Sequence, residues 1–290
     1  MLYWLRLRNR FYLLAVLPGL FWSGPQEPVS ALRKAGVPIA PFSTEAQHSR
    51  IQLTPPGIDR KVMVASATTA PWVNANGWNF RRNAGREFWC DVPSGAAKLA
   101  AAEAYAYQAK VMLKIAPSDL DPFQEIIKFV QTLPDRTLPD IADFGFVDDG
   151  SDRAGEILNL LTRRNLLYKV LRAPDPQFRL NVTADSDDPY LFAAKVREKL
   201  TDNGRSLRIY GSEVVLCRLT GNASQIRLHL LNYGRNRVDG LRVRLRGSFK
   251  NAKLYGITGP KDLQDWASAD GFTEFSIPEL GTYAVVDLTR

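Results

Sequence analysis

The chain has 290 residues, 45% hydrophobic and 23% charged, which excludes a disordered or fibrous protein and leaves enough apolar surface for two modest domains. Its 38 Lys and Arg exceed 30 Asp and Glu, a formal charge of +8. The basic residues are scattered, so no nucleic-acid partner is expected, because phosphate binding needs a concentrated basic face. Only Cys90 and Cys217 occur, which excludes a disulfide framework and a Cys-rich zinc site. Cys217 lies in the apolar run "EVVLCRL", and two buried thiols are expected.

At the start, Arg6, Arg8 and Arg10 precede an apolar stretch over 11–22, and Val29-Ser30-Ala31 follows as a small-residue site. Those are the parts of a secretory signal. They predict a signal peptide over 1–31 and a secreted or periplasmic protein. The stretch is too short to cross a bilayer as a helix, so no stable membrane span is expected. The alternative for the same residues is a buried strand over 13–22 feeding a helix over 28–34; Pro18 weighs against a central strand.

Residues 35–60 carry Pro and Gly around short apolar runs and read as irregular connection with brief strands. "KVMVASA" (61–67) reads as a strand, "GAAKLAAAEAYAYQ" (95–108) as an Ala-rich helix and "KVMLKI" (110–115) as a strand. "DPFQEIIKFVQTL" (121–133) reads as a helix capped by Asp121. The alternation continues with a strand over 142–151, a helix over 153–165, a strand over 166–172 and a helix over 188–200, and "SLRIYGSEVVLCRL" (206–219) closes the series. This order predicts an α/β fold, a mostly parallel sheet covered by helices, over 32–219, divisible at about 135/136.

After residue 220 the helices stop. "QIRLHLLNYG" puts Ile226, Leu228 and Leu230 on one face, and "LRVRLRG" alternates Leu241, Val243 and Leu245 with Arg242, Arg244 and Arg246. Period-two alternation predicts an antiparallel β-sandwich over 220–290 with one wet face, to which the arginine stripe belongs. A polyanion site is the alternative use of that stripe. The short polar turn near 220 predicts that the sandwich packs on the α/β layer instead of swinging freely.

Chemistry is limited first by what is absent. No glycine-rich phosphate loop follows a predicted strand, and no cofactor is expected. With His48 and His229 alone, neither a His-based metal site nor a Ser-His triad is expected. The carboxylates in "FVDDGS" remain: Asp148 and Asp149 close a buried strand just before a helix, the edge where open α/β sheets place ligands. Two adjacent carboxyls there could divide into a raised-pKa acid and an ionised partner. Both are also turn and cap residues, with Ser151 and Asp152 beside them. Glu103, on the Ala-rich helix, reads as part of a solvated face.

Residues 70–89, "APWVNANGWNFRRNAGREFW", combine Trp72, Trp78 and Trp89 with Asn74, Asn76 and Arg81. The turn formers predict a long ordered loop. Its rings either fold inward or leave one flat face, Trp78 first, beside polar groups that could hold a sugar. Trp72, Asn74, Asn76, Trp78 and Arg81 are the candidate substrate-binding residues.

"LLTRRNLLYKVL", "LRIYGSEVVLCRLTG", "RLHLLNYG" and "TEFSIPELGTYAVVDL" resemble a group of secreted, uncharacterised bacterial proteins. An α/β layer followed by a sandwich is similar in architecture to the C-terminal half of bacterial β-galactosidase-like glycosidases, a glutamine amidotransferase-like domain plus a β-sandwich. That resemblance covers about 136–290 and implies the non-catalytic part of such enzymes. It points to a secreted carbohydrate-associated protein, ancillary to or reduced from glycoside hydrolases, with an oligosaccharide as partner. The alternatives are a non-enzymatic structural or protein-interaction module of the cell envelope and an active glycosidase using Asp148 and Asp149.

Overall fold

The computed structural model describes residues 16–60, 71–185 and 188–290. Arg6, Arg8, Arg10 and the strand expected over 61–67 lie outside them. Strand β1 (Gly19–Phe21) sits between β2 (Ile39–Ala40) and β7 (Lys110–Lys114) in a five-stranded parallel sheet that continues through β6 (Glu87–Asp91) to β3 (Ile51–Gln52). Leu20 is 0% exposed, and Phe21 and Trp22 are buried. Residues 19–31, the last part of the expected signal peptide, supply an inner strand of this sheet and lead into helix α1 (Ser30–Lys34). An apolar run too short for a bilayer suits a parallel strand buried on both faces. Pro18 falls just before the strand, where its missing N–H removes no ladder bond.

Over residues 41–60 the chain is mostly irregular with brief strands, as its prolines and glycines suggest. It forms helix α2 (Thr44–His48), whose first turn is capped by the Ser43 hydroxyl accepting from the Ala46 N–H, and the antiparallel pair β4 (Gly57–Arg60) and β5 (Pro71–Asn74). The long loop expected over 70–89 is corrected: it is β5, helix α3 (Gly77–Arg82) and β6. Asn76 and Gly77 open a helix there, and a Cβ on Gly77 would stand 2.3 Å from the Tyr107 hydroxyl. That close approach requires glycine.

Helices α4 (Ala97–Ala106) and α5 (Leu120–Thr132) cover the face carrying Leu20, Phe88, Cys90, Val111 and Leu113. Phe21, Trp89 and Met112 face the other way, under Phe42 and Ala46. Helix α5 begins one residue before the expected Asp121 cap, and the Asp119 carboxylate instead receives the Gly95 N–H at 2.9 and 3.0 Å. Both cysteines are buried and unpaired; burial pushes the Cys90 thiol up to about 12.

A second, three-stranded parallel sheet has the order β10 (Asn181–Thr183), β8 (Phe144–Val147), β9 (Tyr168–Leu171). Helices α6 (Asp152–Arg163) and α7 (Pro189–Gly204) pack on it, capped by Ser151 and Asp188. Asn165, just past α6, has φ +51 and bonds to the Val215 carbonyl and the Cys217 N–H, tying this layer to the next.

The sandwich begins earlier than residue 220. The stretch 206–219 divides after Tyr210, at Gly211 with φ +89, into β11 (Leu207–Tyr210) and β12 (Val215–Gly221), which enter opposite sheets. One sheet is β11, β14 (Val238–Arg246), β18 (Phe272–Leu280) and β17 (Gln264–Ala269). The other is β12, β13 (Gln225–Asn232), β19 (Tyr283–Thr289), β15 (Asn251–Gly256) and β16 (Gly259–Lys261). Ile226, Leu228, Leu230, Leu241, Val243 and Leu245 fill the space between them. Among the described residues no helix is long and apolar enough to cross a membrane.

The sandwich packs on the first sheet's helices, as its short connection suggests. Leu216, Leu231, Tyr233, Tyr283 and Val285 belong to the same apolar cluster as α4 and α5. The wet face expected of β13 is therefore buried: Arg227 is 3% and His229 4% exposed. His229 Nδ1 lies 2.7 Å from the Tyr283 hydroxyl, and burial, with Arg218 and Arg227 nearby, holds the imidazole well below its usual pKa. The alanines of α4 allow this approach because they add little bulk on any side.

Glu103 is not on a solvated face. At 1% exposure it accepts from the Asn76 N–H at 2.6 Å, from Asn76 Nδ2 at 3.0 Å and from the Tyr233 hydroxyl at 2.6 Å, joining α3, α4 and the sandwich. Burial raises its pKa despite those donors. A carboxyl raised in the folded state gives stability that is complete below the ordinary Glu range and declines as pH rises through the folded value. Denaturant midpoints measured from pH 4 upward should fall more steeply for the natural chain than for Glu103→Gln, which lacks this titration. Parallel curves would remove Glu103 as the cause.

Candidate functional site at the end of strand β8

The C-terminal end of β8 meets helix α3, so the 70–89 segment does reach the aspartates. Arg82, in the last turn of α3, grips Asp148 with both arms: Nε lies 2.9 Å from Oδ2 and Nη2 3.0 Å from Oδ1. Nη2 also donates to the Ser151 carbonyl at 2.7 Å. Both side chains are largely buried, 14% and 9% exposed. Trp78, one turn earlier, lies half-buried over α6, where a Cβ on Gly155 would stand 2.6 Å from Arg82 and 3.3 Å from the Trp78 ring. Glycine at 155 thus permits the helix contact that brings Arg82 to Asp148.

Asp148 Oδ1 also receives the Gly150 N–H, and Asp149 Oδ1 the Ser151 N–H at 2.9 Å. Hydrogen bonding from the Ser151 side chain, together with its N–H, holds the exposed Asp149 carboxyl below its ordinary pKa. The two aspartates are thus held by different partners. One is committed to an arginine and the other to a turn at the start of α6. Asp148→Asn should cost about 1–2 kcal/mol, the loss of a charge-assisted bond partly kept by the amide, while Asp149→Asn should leave the thermal midpoint nearly unchanged. Calorimetry of both variants checks this; equal losses would mean that the ion pair is not the important contact.

The other candidate residues are dispersed. Trp72 lies on β5 under the Arg163 guanidinium, 3.7 Å from the ring centre. Asn74 donates to Asp59 Oδ2 at 2.6 Å across the β4–β5 pair. Asn76 turns inward to Glu103 and to the Thr54 carbonyl. Arg81 is enclosed between the Tyr107 and Tyr168 rings, 5.2 Å from each, with Asp140 at 3.8 Å. Burial alone would lower its pKa, but Tyr107, Tyr168 and Asp140 outweigh it and the net shift is upward. The segment's aromatics thus anchor it, with Trp89 buried in β6 and Trp78 only partly covered. Sequence pattern does not mark Arg82 as the partner of Asp148, Arg163 as that of Trp72, or Tyr233 as that of Glu103. An arginine in direct contact with its partner but 66 residues away in sequence carries no local signal.

A cavity of about 710 Å³ opens at the opposite, N-terminal edge of the first sheet, bordered by Gly19, Glu87, Tyr105, Met112 and Asp135. The Arg50–Glu87 ion pair, 3.0 Å, crosses its rim. Among the described residues no group of three His, Cys, Asp or Glu is placed to hold a metal.

No family model matches the chain, and no curated protein matches it. Among solved structures it is similar to alpha-L-fucosidase isoenzyme 2 from Paenibacillus thiaminolyticus, with a TM-score of 0.54 and 9% identity, over 88% of this chain and 68% of that one. It is also similar to a GH42 beta-galactosidase, with a TM-score of 0.38 and 9% identity, over 82% of this chain and 53% of the galactosidase. A GH30 subfamily 8 xylanase from Clostridium acetobutylicum aligns with a TM-score of 0.23 and 12% identity, over 94% and 95% of the two chains. The first likeness shows a shared fold; the other two scores are too low to carry an argument. The chain spans about two thirds of the fucosidase and half of the galactosidase.

Proposed function

We propose that the chain is a carbohydrate-associated protein, an ancillary or reduced relative of glycoside hydrolases. The observation that carries this reading is the fold it shares, over 88% of its length, with a protein named as an alpha-L-fucosidase. The carboxylates favour the reduced form over an active hydrolase. Asp148 is bound by Arg82, Asp149 by Ser151, and Glu103, though raised in pKa, is enclosed by Asn76 and Tyr233 without access to solvent. A proton donor for glycoside cleavage needs both a raised pKa and a path to the leaving oxygen. Secretion, if part of this role, has to keep residues 19–34 with the folded chain, since they build the first sheet and its first helix.

Calorimetric titration with a panel of fucosylated, galactosylated and plant-wall oligosaccharides, beside turnover assays on aryl glycosides, tests the proposal. Binding without turnover is the expected result. Absence of binding to every glycan would reject it. Turnover that falls roughly a hundredfold or more in a folded Asp148→Asn variant would favour the glycosidase reading instead.

A further inference from the structure

The outer face of the β11-β14-β18-β17 sheet concentrates positive charge in a way that the linear sequence conceals. Pairing of β11 with β14 sets Arg208 directly opposite Arg244 and Tyr210 opposite Arg242. Like charges facing each other across a ladder destabilise a sheet. The compensation is thin. Glu274 serves both Arg242, at 2.6 Å, and Arg244, at 3.4 Å, and Asp202 serves Arg208 at 2.5 Å. Arg246 donates to the Asn203 carbonyl and lies near Asp143, and Arg205 lies near the same carboxyl.

Among the described residues the arginines at 205, 208, 242, 244 and 246 lie near the carboxylates at 143, 202 and 274. Among the described residues the Nε atoms of Arg205 and Arg208 are buried without a hydrogen-bond partner, and these residues are only 6% and 7% exposed. An ordinary solvated strand face would leave its guanidinium groups in water. Here several are fixed by packing: Arg244 lies 3.9 Å over the Phe272 ring, and Arg208 5.6 Å over Tyr210. Tyr210 itself is 42% exposed and Arg242 57%. Arg244, fixed on the Phe272 ring, pays little entropy to take a carboxylate, the exposed Arg242 would exchange Glu274 for one, and the exposed Tyr210 ring beside them offers a flat apolar surface.

We propose that this face binds an acidic polysaccharide, a uronic-acid polymer, with Arg242 and Arg244 receiving the sugar carboxylates and Tyr210 lying against a ring. The inference rests on the carbohydrate reading above and names its ligand class and surface. The two arginines are two residues apart on one strand, about 7 Å, and point the same way. Repeated carboxylates on a polymer can therefore meet both at once, which a single charged group cannot.

The full chain is titrated with polygalacturonate, with a neutral glucan and with a single-stranded polynucleotide of matched charge, at low and high salt. The expected result is preferential binding of the uronan, weakened by salt. Binding should fall about tenfold or more in Arg242→Gln/Arg244→Gln and also fall in Tyr210→Ala. Arg242→Gln alone, altering an exposed side chain, keeps the test valid if the double variant folds poorly. Equal affinity for uronan and neutral glucan, unchanged in the variants, would overturn the inference and leave the carbohydrate reading standing. No binding to any glycan would overturn both. Binding of the polynucleotide as tightly as the uronan would overturn it in favour of a generic polyanion face.

Discussion

A chain that begins at residue 32 is expected not to fold. It would lack β1, which pairs with both β2 and β7, and would leave the two-residue β2 without its neighbour. Leu20 and Val29, each 0% exposed, and the buried Phe21 and Trp22 would go with it. Four such side chains stabilise by about 6–12 kcal/mol, at roughly 1.5–3 each. That is comparable with the whole stability of a domain, about 5–15 kcal/mol. The truncated chain should therefore be insoluble or show no cooperative thermal transition. Leu20→Ala in the full chain gives a graded version, with a loss of about 2–5 kcal/mol. A truncated chain that melts like the full one would mean the strand is dispensable and would restore the leader reading for these residues.

The second large effect is expected at the sandwich junction. Arg227 and Asp287, both 3% exposed, are joined by bonds of 2.7 and 2.9 Å, and Arg227 donates further to the Pro134 carbonyl. Arg136 stands 3.4 Å from the same carboxylate. Asp287→Leu would leave two cations facing each other in a buried contact, at a cost of about 3–5 kcal/mol. Arg227→Met should cost less, since Arg136 still faces Asp287. The double variant should recover most of the loss, because two apolar side chains replace a desolvated pair. Chemical denaturation of the three variants gives the coupling energy directly. Additive losses would show that the two residues act independently.

The same junction explains where sequence reading reached its limit. Arg227 and His229 alternate with Ile226, Leu228 and Leu230, and the alternation correctly marks a strand with two unlike faces. It cannot tell water from a second layer, since Arg, His and Asp on a polar face can be solvated or can be paired under a helix. The alanines of α4 were the available hint: a helix rich in Ala on every side has no face that requires water, and this one is packed by the sheet, α5 and β13. Glu103 looked solvated only because its partners, Asn76 and Tyr233, stand 27 and 130 residues away.

Local pattern determined the class of the fold, the change from alternating helices to antiparallel strands, and the caps at Ser151 and Asp188, because these depend on side-chain period and on bonds made within a few residues. Tertiary structure alone decided three things. It made part of an apolar run near the start into an inner strand of a sheet, since an apolar stretch of that length suits either an export signal or a parallel strand until a partner strand is present. It turned the Asn- and Trp-rich segment into β5, α3 and β6 and spent Asp148 on Arg82, a contact that exists only because Gly155 lets two helices approach. It also brought the arginines of β11 and β14 onto one surface: charges scattered along the chain become neighbours only when cross-strand register puts them opposite each other.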